Sequence, residues 1–559
     1  MLTKEQQSAV KHVYGPMMVV AGPGSGKTTV LTQRVKELLR YTRPERILVI
    51  TFAKKAAEEM KERFAELTDD ETAQRVNFGT FHSVFFRYLK KWGVFSQDVQ
   101  VLDEGQQKEL WLELGWDMED VPAFLVCRRD EALRYNKEKR MRNLVDFDDM
   151  TSLMLAEADQ YEIAKDFDFI LVDEFQDINP DQYAILRKMV KKEQANLFIV
   201  GDEDQAIYAF RGSDPSIFLH FPQDFHECCR VDLTMNFRSQ GRIVEAAKEL
   251  INNNKNRFDK SIQAHHAGTE RIHLHSVFDE KQEAKYIRDQ VLKQHKAGFS
   301  FTEMAVLCRT NAQLKRIALA LQEGGAPFVC TESWEIGDKP EELLIRQDLE
   351  LFLRLGRNMM DRDALRGVLR TLPELQNAGN WRKGTTENSL LEEMLQNQRM
   401  EPQVRREIEE LLLRLERGAK MNREKAFWYY LWQTDYLSYA YKKAKRRGLT
   451  RRDVWRQIKQ LMWEQKGEKG GVLLSTMHGA KGLEFDWVWI AGVNEGKVPH
   501  QEAAGGNEAM NRDGIEEERR LLYVAMTRAR KSLTLSYHDG LGCEPSRFLK
   551  EIKSLHFGL

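Results

Sequence analysis

Cysteine is scarce in this chain, net charge is nearly absent, and long hydrophobic runs are missing. The six cysteines among 559 residues form no CxxC pair, which argues against a zinc site, an iron–sulfur cluster or a disulfide framework and is typical of a reducing compartment. No apolar run approaches the ~20 residues that a membrane-spanning helix needs, and the first residues lack the apolar core of a signal peptide. We therefore expect a cytoplasmic protein that makes no contact with a membrane.

Positive and negative charges balance almost completely. Lysine and arginine number 85 and aspartate and glutamate 86, for a net charge of −1, so any surface for nucleic acid must be local. Hydrophobic residues make up 42% and charged residues 31% of the chain, a composition that can bury large cores and is unlike that of disordered proteins. At about 150 residues per domain, the length predicts three or four domains.

A glycine-rich loop near the start of the chain carries the clearest chemical signal. Met17–Val20 predicts a short buried strand, and apolar residues at helical spacing begin at Val30. In that context the backbone amides and the positive end of the helix face phosphates, Lys27 reaches the β- and γ-phosphates, and the Thr28 hydroxyl can bind Mg²⁺. The alternative is a glycine-rich turn that arose by chance. We expect a nucleoside triphosphate to bind along Ala21, Gly22, Pro23, Gly24, Ser25, Gly26, Lys27, Thr28 and Thr29.

Strand and helix patterns alternate along much of the chain. This alternation predicts an α/β fold with parallel, doubly wound sheets, in which ligands bind at the carboxyl ends of the strands. The candidate strands after the first lie within 47–52, 76–83 (a strand that ends in a polar turn), 169–174, 196–202, 272–277, 304–309, 327–330, 472–476, 487–491 and 532–537.

Two stretches interrupt the alternation with charged, helical sequence, so we expect two α/β domains that each carry a mostly helical insertion. A glycine-rich hinge, Gly467–Gly471, follows the second stretch. The predicted first domain comprises 1–83 and 166–236 with the insertion 84–165, and the second comprises 237–355 and 468–559 with the insertion 356–467.

Acidic and amide side chains follow two of the predicted strands. Asp173 and Glu174 end one strand, where an aspartate can hold Mg²⁺ and an adjacent carboxylate can orient or deprotonate the attacking water. Acidic pairs are also common on ordinary surfaces. Gln205 follows the next strand, and its amide can sense the γ-phosphate of the nucleotide.

Two aromatic residues and a cation follow Gln205 on a predicted loop. Tyr208 and Phe210 can stack on bases, and Arg211 can attract phosphates, so the loop is a candidate platform for single-stranded nucleic acid. The alternative is that both rings fill a hydrophobic core.

Together with several later motifs, these segments resemble the superfamily 1 DNA helicases of the UvrD/Rep/PcrA type, nearly from end to end. That family tolerates alanine at the first position of the phosphate loop, as at Ala21. The resemblance implies two RecA-like ATPase domains. It also implies that Gln6, in LTKEQ, reads the adenine and that Phe237, in LTMNFRS, stacks on it. Arg238 of the same LTMNFRS motif is implied to contact the γ-phosphate. Glu484, in VLLSTMHGAKGLE, is implied to lie on the nucleotide side, and Arg528, in EERRLLYVAMTRA, to act as the arginine finger.

The same resemblance implies a DNA-binding side. Phe210 stands where the family usually has tryptophan, and DFDD at 146–149, VDEFQD at 172–177 and PSRFL at 545–549 match further family segments. The residues implied to face DNA are Phe52, Thr80, His82, Tyr208, Phe210, Arg211, Thr476 and His478.

The activity of this family provides the expectation for the function of the chain. The resemblance implies that ATP with Mg²⁺ binds between the two domains and that domain closure brings Arg238 and Arg528 to the γ-phosphate. The resemblance implies 3′→5′ movement on single-stranded DNA and at junctions with duplex, in DNA repair or replication restart. The alternatives are a translocase with weak unwinding that displaces proteins or serves a separate nuclease, for example in anti-phage defence, and an ATP-gated DNA-binding module without catalysis. A repair factor or a nuclease is an expected protein partner, and we expect a monomer, with a dimer as the alternative.

Both insertions are shorter than is usual for the family, and one family element is not recognisable. Leu369–Pro373 stands where the duplex-contacting Gly-Ile-Gly element is expected. A basic run, Lys442–Arg447 followed by Arg451 and Arg452, can contact phosphates or form a solvated helix face.

Overall fold

The computed structural model describes residues 2–114, 129–190, 195–268, 272–330, 470–504, 508–540 and 542–555. The chain divides into two compact units, the first of Met1–Gln290, Glu303–Ala320 and Ser475–Leu559, and the second of Val291–Thr302 and Leu321–Leu474. The predicted second insertion, with 369–373 and the basic run at 442–452, lies outside the described residues. The predicted domain boundaries remain a prediction.

In the first unit, six parallel strands form one sheet in the order β3-β2-β6-β7-β1-β8. Its central strands are rich in β-branched and aliphatic residues and are buried along their length, as expected for a sheet covered on both faces. The strands are Met17–Ala21 (β1), Ile47–Thr51 (β2), Asn77–Thr80 (β3), Phe169–Val172 (β6), Leu197–Gly201 (β7) and Cys229–Leu233 (β8).

Successive residues of β1 enter opposite hydrophobic cores. Met18 and Val20 lie in one core and Val19 and Ala21 in the other, which is the two-residue period of a strand packed on both sides. The helices of this part are Lys4–Lys11 (α1), Lys27–Leu38 (α2), Lys54–Leu67 (α3), Asp70–Arg75 (α4), Phe81–Lys91 (α5), Glu104–Glu113 (α6), Arg129–Met141 (α7), Phe147–Glu157 (α8), Pro180–Met189 (α9) and Pro215–Asp224 (α10). A two-stranded parallel pair, Gln100–Val101 (β4) and Leu144–Val145 (β5), lies within the predicted first insertion.

A second parallel sheet of the first unit contains strands from the middle and the end of the chain. Neighbouring strands follow the order β11-β16-β15-β12, and a parallel pair, β9 with β10, lies apart from it. The elements are Met235–Gln240 (β9), Gly241–Ile251 (α11), Gln263–His266 (β10), His273–Val277 (β11), Glu280–Lys296 (α12), Met304–Cys308 (β12), Asn311–Glu323 (α13), Phe485–Ile490 (β15), Glu508–Met526 (α14), Ala529–His538 (β16) and Arg547–Glu551 (α15).

In the second unit, Phe328–Cys330 (β13) pairs in parallel with the first three residues of Val472–Thr476 (β14). The predicted α/β class with parallel sheets is confirmed, and the strands missing from the prediction were β4, β5, β8, β9 and β10. No helix in the described ranges is both long and apolar enough to cross a bilayer.

Sheet order determines which sequence motifs meet. Strands β6, β7 and β1 are neighbours and run in the same direction, so the segments after their carboxyl ends lie at one edge of the sheet. These segments are the glycine-rich loop after Ala21, the acidic pair after Val172 and the loop after Gly201.

Candidate functional site

The glycine-rich loop connects β1 to the first turn of α2. Gly24 and Gly26 have φ values of +64° and +82°, a region that side-chain-bearing residues rarely adopt. A Cβ on Gly24 would lie 2.6 Å from the Cβ of Arg238, so the loop also needs glycine for close approach. No side chain caps the amino terminus of α2, and its first amides therefore suit an anion.

Gln6 braces this loop from α1. Thr3 and Gln6 form a capping box at the start of that helix, and the Gln6 Nε2 donates to the Ser25 carbonyl oxygen at 2.9 Å. Within the loop, the residues from Ala21 to Pro23 and Ser25 are buried, Lys27 and Thr28 are half-buried, and Thr29 is exposed. The predicted loop residues therefore form one continuous turn against Gln6.

Lys27 and the acidic pair after β6 meet directly. The Lys27 Nζ donates to Glu174 Oε1 at 2.7 Å. Burial opposes ionisation of Glu174, but the charges of Lys27 and Lys481 outweigh it and lower the pKa of this carboxyl to about 2. Burial and the neighbouring Glu174 charge raise the pKa of Asp173 to about 7. The two adjacent carboxyls thus differ strongly in proton affinity, and Glu174 is a carboxylate at neutral pH.

Asp173 has the character of a cation ligand. Its Oδ1 is buried and has no hydrogen-bond partner, and a buried unpaired carboxylate oxygen is costly unless a cation binds it. Thr28 supplies a half-buried hydroxyl on α2. Hydroxyl and carboxylate oxygens are ligands that Mg²⁺ prefers, so the donors fit this ion.

Two residues that sequence reasoning did not single out tie this acidic motif to its surroundings. Gln176 is fully buried; its Nε2 donates to Glu174 Oε2 at 2.6 Å, and its Oε1 accepts the Asp202 amide at 2.9 Å. Lys481 donates from Nζ to Asp177 Oδ2 at 2.5 Å. Burial raises the pKa of Asp177 to about 6, although the lysine charge opposes that rise.

Gln205 lies between Asp202 and the predicted arginine finger. Its Nε2 donates to Asp202 Oδ2 at 2.6 Å, and its Oε1 accepts from Arg528 Nη2 at 3.2 Å. Arg528 is almost fully buried and also donates to the carbonyl oxygens of Val524 and Leu483. Burial and the nearby Arg238 charge lower the pKa of Arg528 to about 9, which leaves it charged at neutral pH.

Arg238 and Glu484 form an ion pair beside the glycine-rich loop. The Arg238 Nε donates to Glu484 Oε2 at 2.5 Å, and the amide of Phe237 donates to the Gly24 carbonyl oxygen at 2.9 Å. The ring of Phe237 lies 5.0 Å from that of His265, centroid to centroid, at 47°. Phe237, predicted to stack on the base, and Arg238, predicted to contact the γ-phosphate, are adjacent residues of β9, and both lie next to Gly24 of the glycine-rich loop.

Four predicted DNA-side residues form a row of rings that we call the aromatic face: Phe52, Tyr208, Phe210 and His478. Phe52 stacks on Tyr208 with centroids 5.4 Å apart and planes at 10°. Tyr208 contacts Phe210 edge-on at 6.1 Å, and Phe210 contacts His478 edge-on at 5.5 Å. Phe210 is 66% exposed, so it does not fill a core.

Two cations flank the aromatic face. The Arg211 guanidinium lies 5.5 Å from the Tyr208 ring centroid and 5.6 Å from that of Phe210, and Lys481 Nζ lies 4.8 Å from the Tyr208 centroid. Burial, followed by the charges of Arg309, Arg211 and Lys481, lowers the pKa of His478 to about 4. The imidazole is therefore neutral at physiological pH.

The remaining DNA-side predictions lie at other places. Thr80 caps α5 through a capping box with Ser83. His82 is the second residue of that helix; its ring centroid lies 4.6 Å from that of Phe147, which is 45% exposed. Thr476 is buried and accepts the Gly479 amide on its Oγ1 at 3.1 Å, so it orders the turn that carries His478. Phe147 was missed, and its only sequence signal was the DFDD match.

Comparison with known families and proteins gives consistent matches over most of the chain. Residues 2–120 and 129–226 match the UvrD/REP helicase N-terminal domain, and residues 231–401 and 456–540 match the UvrD-like helicase C-terminal domain. The matched ranges include the glycine-rich loop, the acidic pair, Gln205, Arg238 and Arg528.

Individual relatives match almost the whole chain. YjcD of Bacillus subtilis is 31% identical over an alignment that covers 98% of this chain and 80% of YjcD. The ATP-dependent DNA helicase PcrA of Staphylococcus epidermidis is 29% identical, and that of Staphylococcus aureus 28%, each over 99% of this chain and 86% of the relative.

Proposed function

The chain belongs to the UvrD/Rep family of ATP-dependent DNA helicases, and we propose that it uses ATP hydrolysis to move 3′→5′ along single-stranded DNA and to separate duplex strands. Repair or replication restart is the process that we propose for it. Family membership supports the proposed direction and process. The contacts within the chain support the proposed mechanism, which is described next.

On the nucleotide side, the proposed roles begin with an exchange of partners at Lys27. Triphosphate oxygens compete with Glu174 for the lysine ammonium, which now lies 2.7 Å from that carboxylate. Once Lys27 contacts phosphate, Glu174 loses its nearest positive charge and its proton affinity rises, which suits a group that deprotonates or orients water. Mg²⁺ held by Thr28 and Asp173 would neutralise charge on the phosphates.

Three further groups complete the proposed hydrolysis site. Arg238 and Arg528 supply positive charge for the γ-phosphate as its bond breaks, and Gln205 accepts from Arg528 in the same cluster. Phe237 and Gln6 donate to neighbouring carbonyl oxygens of the glycine-rich loop, those of Gly24 and Ser25, and we propose that both contact the adenine.

One side chain carries the proposal that hydrolysis drives movement. Lys481 donates to Asp177 Oδ2 at 2.5 Å and to the Gln205 carbonyl oxygen at 2.8 Å, while its Nζ lies over the Tyr208 ring. A change at Gln205 or in the acidic motif therefore alters the position of a cation that contacts the aromatic face. Such a link is what a motor needs between its nucleotide and its track.

The aromatic face is the proposed track contact. Exposed rings stack on bases of any sequence, and flanking cations attract the phosphate backbone. We propose that successive bases contact Phe52, Tyr208, Phe210 and His478, with Phe147 and His82 as a further contact along the strand.

Translocation and unwinding assays on duplexes with either a 3′ or a 5′ single-stranded tail test this proposal. We expect DNA-stimulated ATP hydrolysis and strand separation only with the 3′ tail. Unwinding from the 5′ tail alone would contradict the proposed 3′→5′ direction. ATP hydrolysis that DNA does not stimulate would contradict the proposal that hydrolysis drives movement along DNA. Lys27→Ala protein is the matched control for contaminating activity.

A translocase with weak intrinsic unwinding is the second candidate. The observation that favours it is Phe210, whose ring is smaller than the tryptophan that the family usually has and offers less stacking area. The same assays separate the two candidates: a translocase displaces a protein block from single-stranded DNA but leaves a duplex intact unless a partner is added.

A further inference from the structure

A buried cluster of five charges lies behind Gln205, and the proposed mechanism does not use it. Lys260 Nζ lies 2.6 Å from Asp202 Oδ1, 3.0 Å from Glu203 Oε1 and 2.8 Å from Asp204 Oδ2. Arg257 grips both oxygens of Asp204 at 2.9 and 2.8 Å. All three acids are fully buried and Lys260 is 3% exposed. So many desolvated charges are costly to bury and need close pairing.

Burial works against the charge of Lys260, but the three carboxylates outweigh burial and raise its pKa well above the usual value. The ammonium group has three donors and no acceptor. Each group that pairs with this ammonium must therefore be a hydrogen-bond acceptor. In Asp202 the acceptor is Oδ1.

The other oxygen of Asp202 reaches the proposed hydrolysis site. Asp202 Oδ2 accepts from Gln205 Nε2 at 2.6 Å, and Gln205 Oε1 accepts from Arg528 Nη2 at 3.2 Å. A carboxylate only accepts and a guanidinium only donates, so these partners leave the Gln205 amide one orientation. Lys260, Asp202, Gln205 and Arg528 thus form one continuous chain of polar contacts.

The segment that carries Lys260 also contacts the glycine-rich loop. A Cβ placed on Gly22 would lie 3.3 Å from the Ile262 side chain, and the Phe258 amide donates to Glu203 Oε1 at 2.9 Å. Residues 257–262 therefore hold Lys260 in place against both the nucleotide loop and the loop of Gln205.

We propose that Lys260 is a positioning residue for ATP hydrolysis, which acts by holding Asp202 so that the Gln205 amide presents its oxygen to Arg528. This inference rests on the proposed ATP hydrolysis. It adds a residue that is 3% exposed and acts through Asp202, and it assigns the buried cluster to the orientation of Gln205.

Asp202→Asn is the sharpest test because it keeps the shape and removes a buried charge. Lys260 still requires an oxygen, so the asparagine turns its NH₂ toward the Gln205 NH₂. Two donors cannot pair, and the Gln205 amide turns its NH₂ toward Arg528, which also only donates. We expect kcat for DNA-stimulated hydrolysis to fall roughly 100-fold, as misplacement of a catalytic group does, while the KM for ATP changes less than about threefold.

The double variant Asp202→Asn with Lys260→Met separates positioning from a structural role. Without Lys260 only the long 3.3 Å hydrogen bond from the Asp204 amide still favours an oxygen on that side, so the asparagine can turn its oxygen to Gln205 and its NH₂ to the remaining acids. We therefore expect kcat to recover by roughly tenfold over Asp202→Asn alone, a non-additive effect. Arg257→Met is the matched control, because it removes an equally close cation of the same cluster. The side chain of Asp204, which Arg257 binds, is hydrogen-bonded to Arg257 and paired with Lys260, whereas Gln205 is hydrogen-bonded to Asp202. It should lower the melting temperature and leave kcat within about twofold.

A kcat for Asp202→Asn equal to wild type would overturn the inference, and so would a double variant whose kcat is no higher than that of Asp202→Asn alone. Wild-type protein that hydrolyses no ATP with single-stranded DNA would instead overturn the proposed function. The two failures are therefore distinguishable in one set of measurements.

Discussion

The loop after β7 serves two regions of opposite character. Its first half, Asp202–Gln205, is buried among charges, and its side chains accept hydrogen bonds from Lys260, Arg257 and Arg528. Its second half, from Tyr208 to Arg211, is half-buried to exposed and makes ring and cation contacts on the aromatic face. Only a few residues separate the two environments.

The difference follows from what each region is proposed to bind. Hydrolysis needs groups held in one orientation and shielded from water, where their charges act strongly. DNA must be gripped and released at every step whatever its sequence, and exposed rings with neutral His478 suit that demand. In the proposed motor, this loop links the two regions, because its buried half is held tightly while its outer half is accessible.

Removing charge on the nucleotide side should have the largest effect. Lys27→Ala takes away the ammonium that contacts Glu174 and is proposed to bind phosphates. We expect DNA-stimulated hydrolysis to fall at least ~100-fold, as loss of a positioned donor does, with little change in single-strand affinity. Steady-state ATPase rates and fluorescence anisotropy measure the two quantities. Lys11→Ala, on the exposed side of α1, should match wild type; a Lys27→Ala protein with wild-type turnover would contradict the assignment.

An intermediate effect should come from the aromatic face. Phe210→Ala removes the ring that is 66% exposed between Tyr208 and His478. We expect single-strand affinity to fall roughly tenfold, since stacking contributes ~1–3 kcal/mol per base, and ATP consumed per nucleotide moved to rise. Hydrolysis at saturating DNA should change little.

Phe278→Ala is the control for that variant, because Phe278 is 56% exposed, follows β11 and is not one of the rings in contact along the aromatic face. Unchanged ATP consumption per nucleotide in Phe210→Ala would argue against a stacking role. Equal losses in both variants would show that exposed rings act without regard to position.

The smallest effect concerns pH. An ordinary histidine near pKa 6.5 gains charge as pH falls from 8 to 6, which would strengthen its attraction to phosphate. The pKa of His478 is lowered to about 4, so it stays neutral over that window and contributes no pH dependence to DNA affinity. The test is the ratio of the DNA dissociation constants at pH 6 and pH 8, measured at constant ionic strength. This ratio should be the same for the wild type and for His478→Gln. Tighter binding at pH 6 that His478→Gln abolishes would contradict the pKa.

Much of the nucleotide side was predictable because its signals are local. A strand, a glycine-rich turn and a helix around Lys27, and an acidic pair directly after a strand, are each read within a dozen residues. The alternation of strands and helices predicted the parallel sheets, and most predicted strands lie within one or two residues of those observed. Strands β9 and β10 escaped because their polar residues and exposed positions give no buried-strand pattern.

The polar network was not predictable because each partner is ordinary by itself. Lys481, Lys260 and Gln176 look like solvated surface residues in the sequence. Their roles depend on contacts across 304, 58 and 26 positions of the chain, which no local pattern encodes.

The sequence by itself determined the chemistry that this protein can hold: a phosphate loop, an acidic pair, late arginines and aromatic residues in a recognisable order, whereas the exposure of Phe210 was decided by the structure. Only the tertiary structure decided that Lys481 joins the acidic motif to the aromatic face and that Lys260 lies behind Gln205. The physical reason is that strand order and register bring distant loops to one sheet edge, and burial there turns ordinary polar groups into oriented ones.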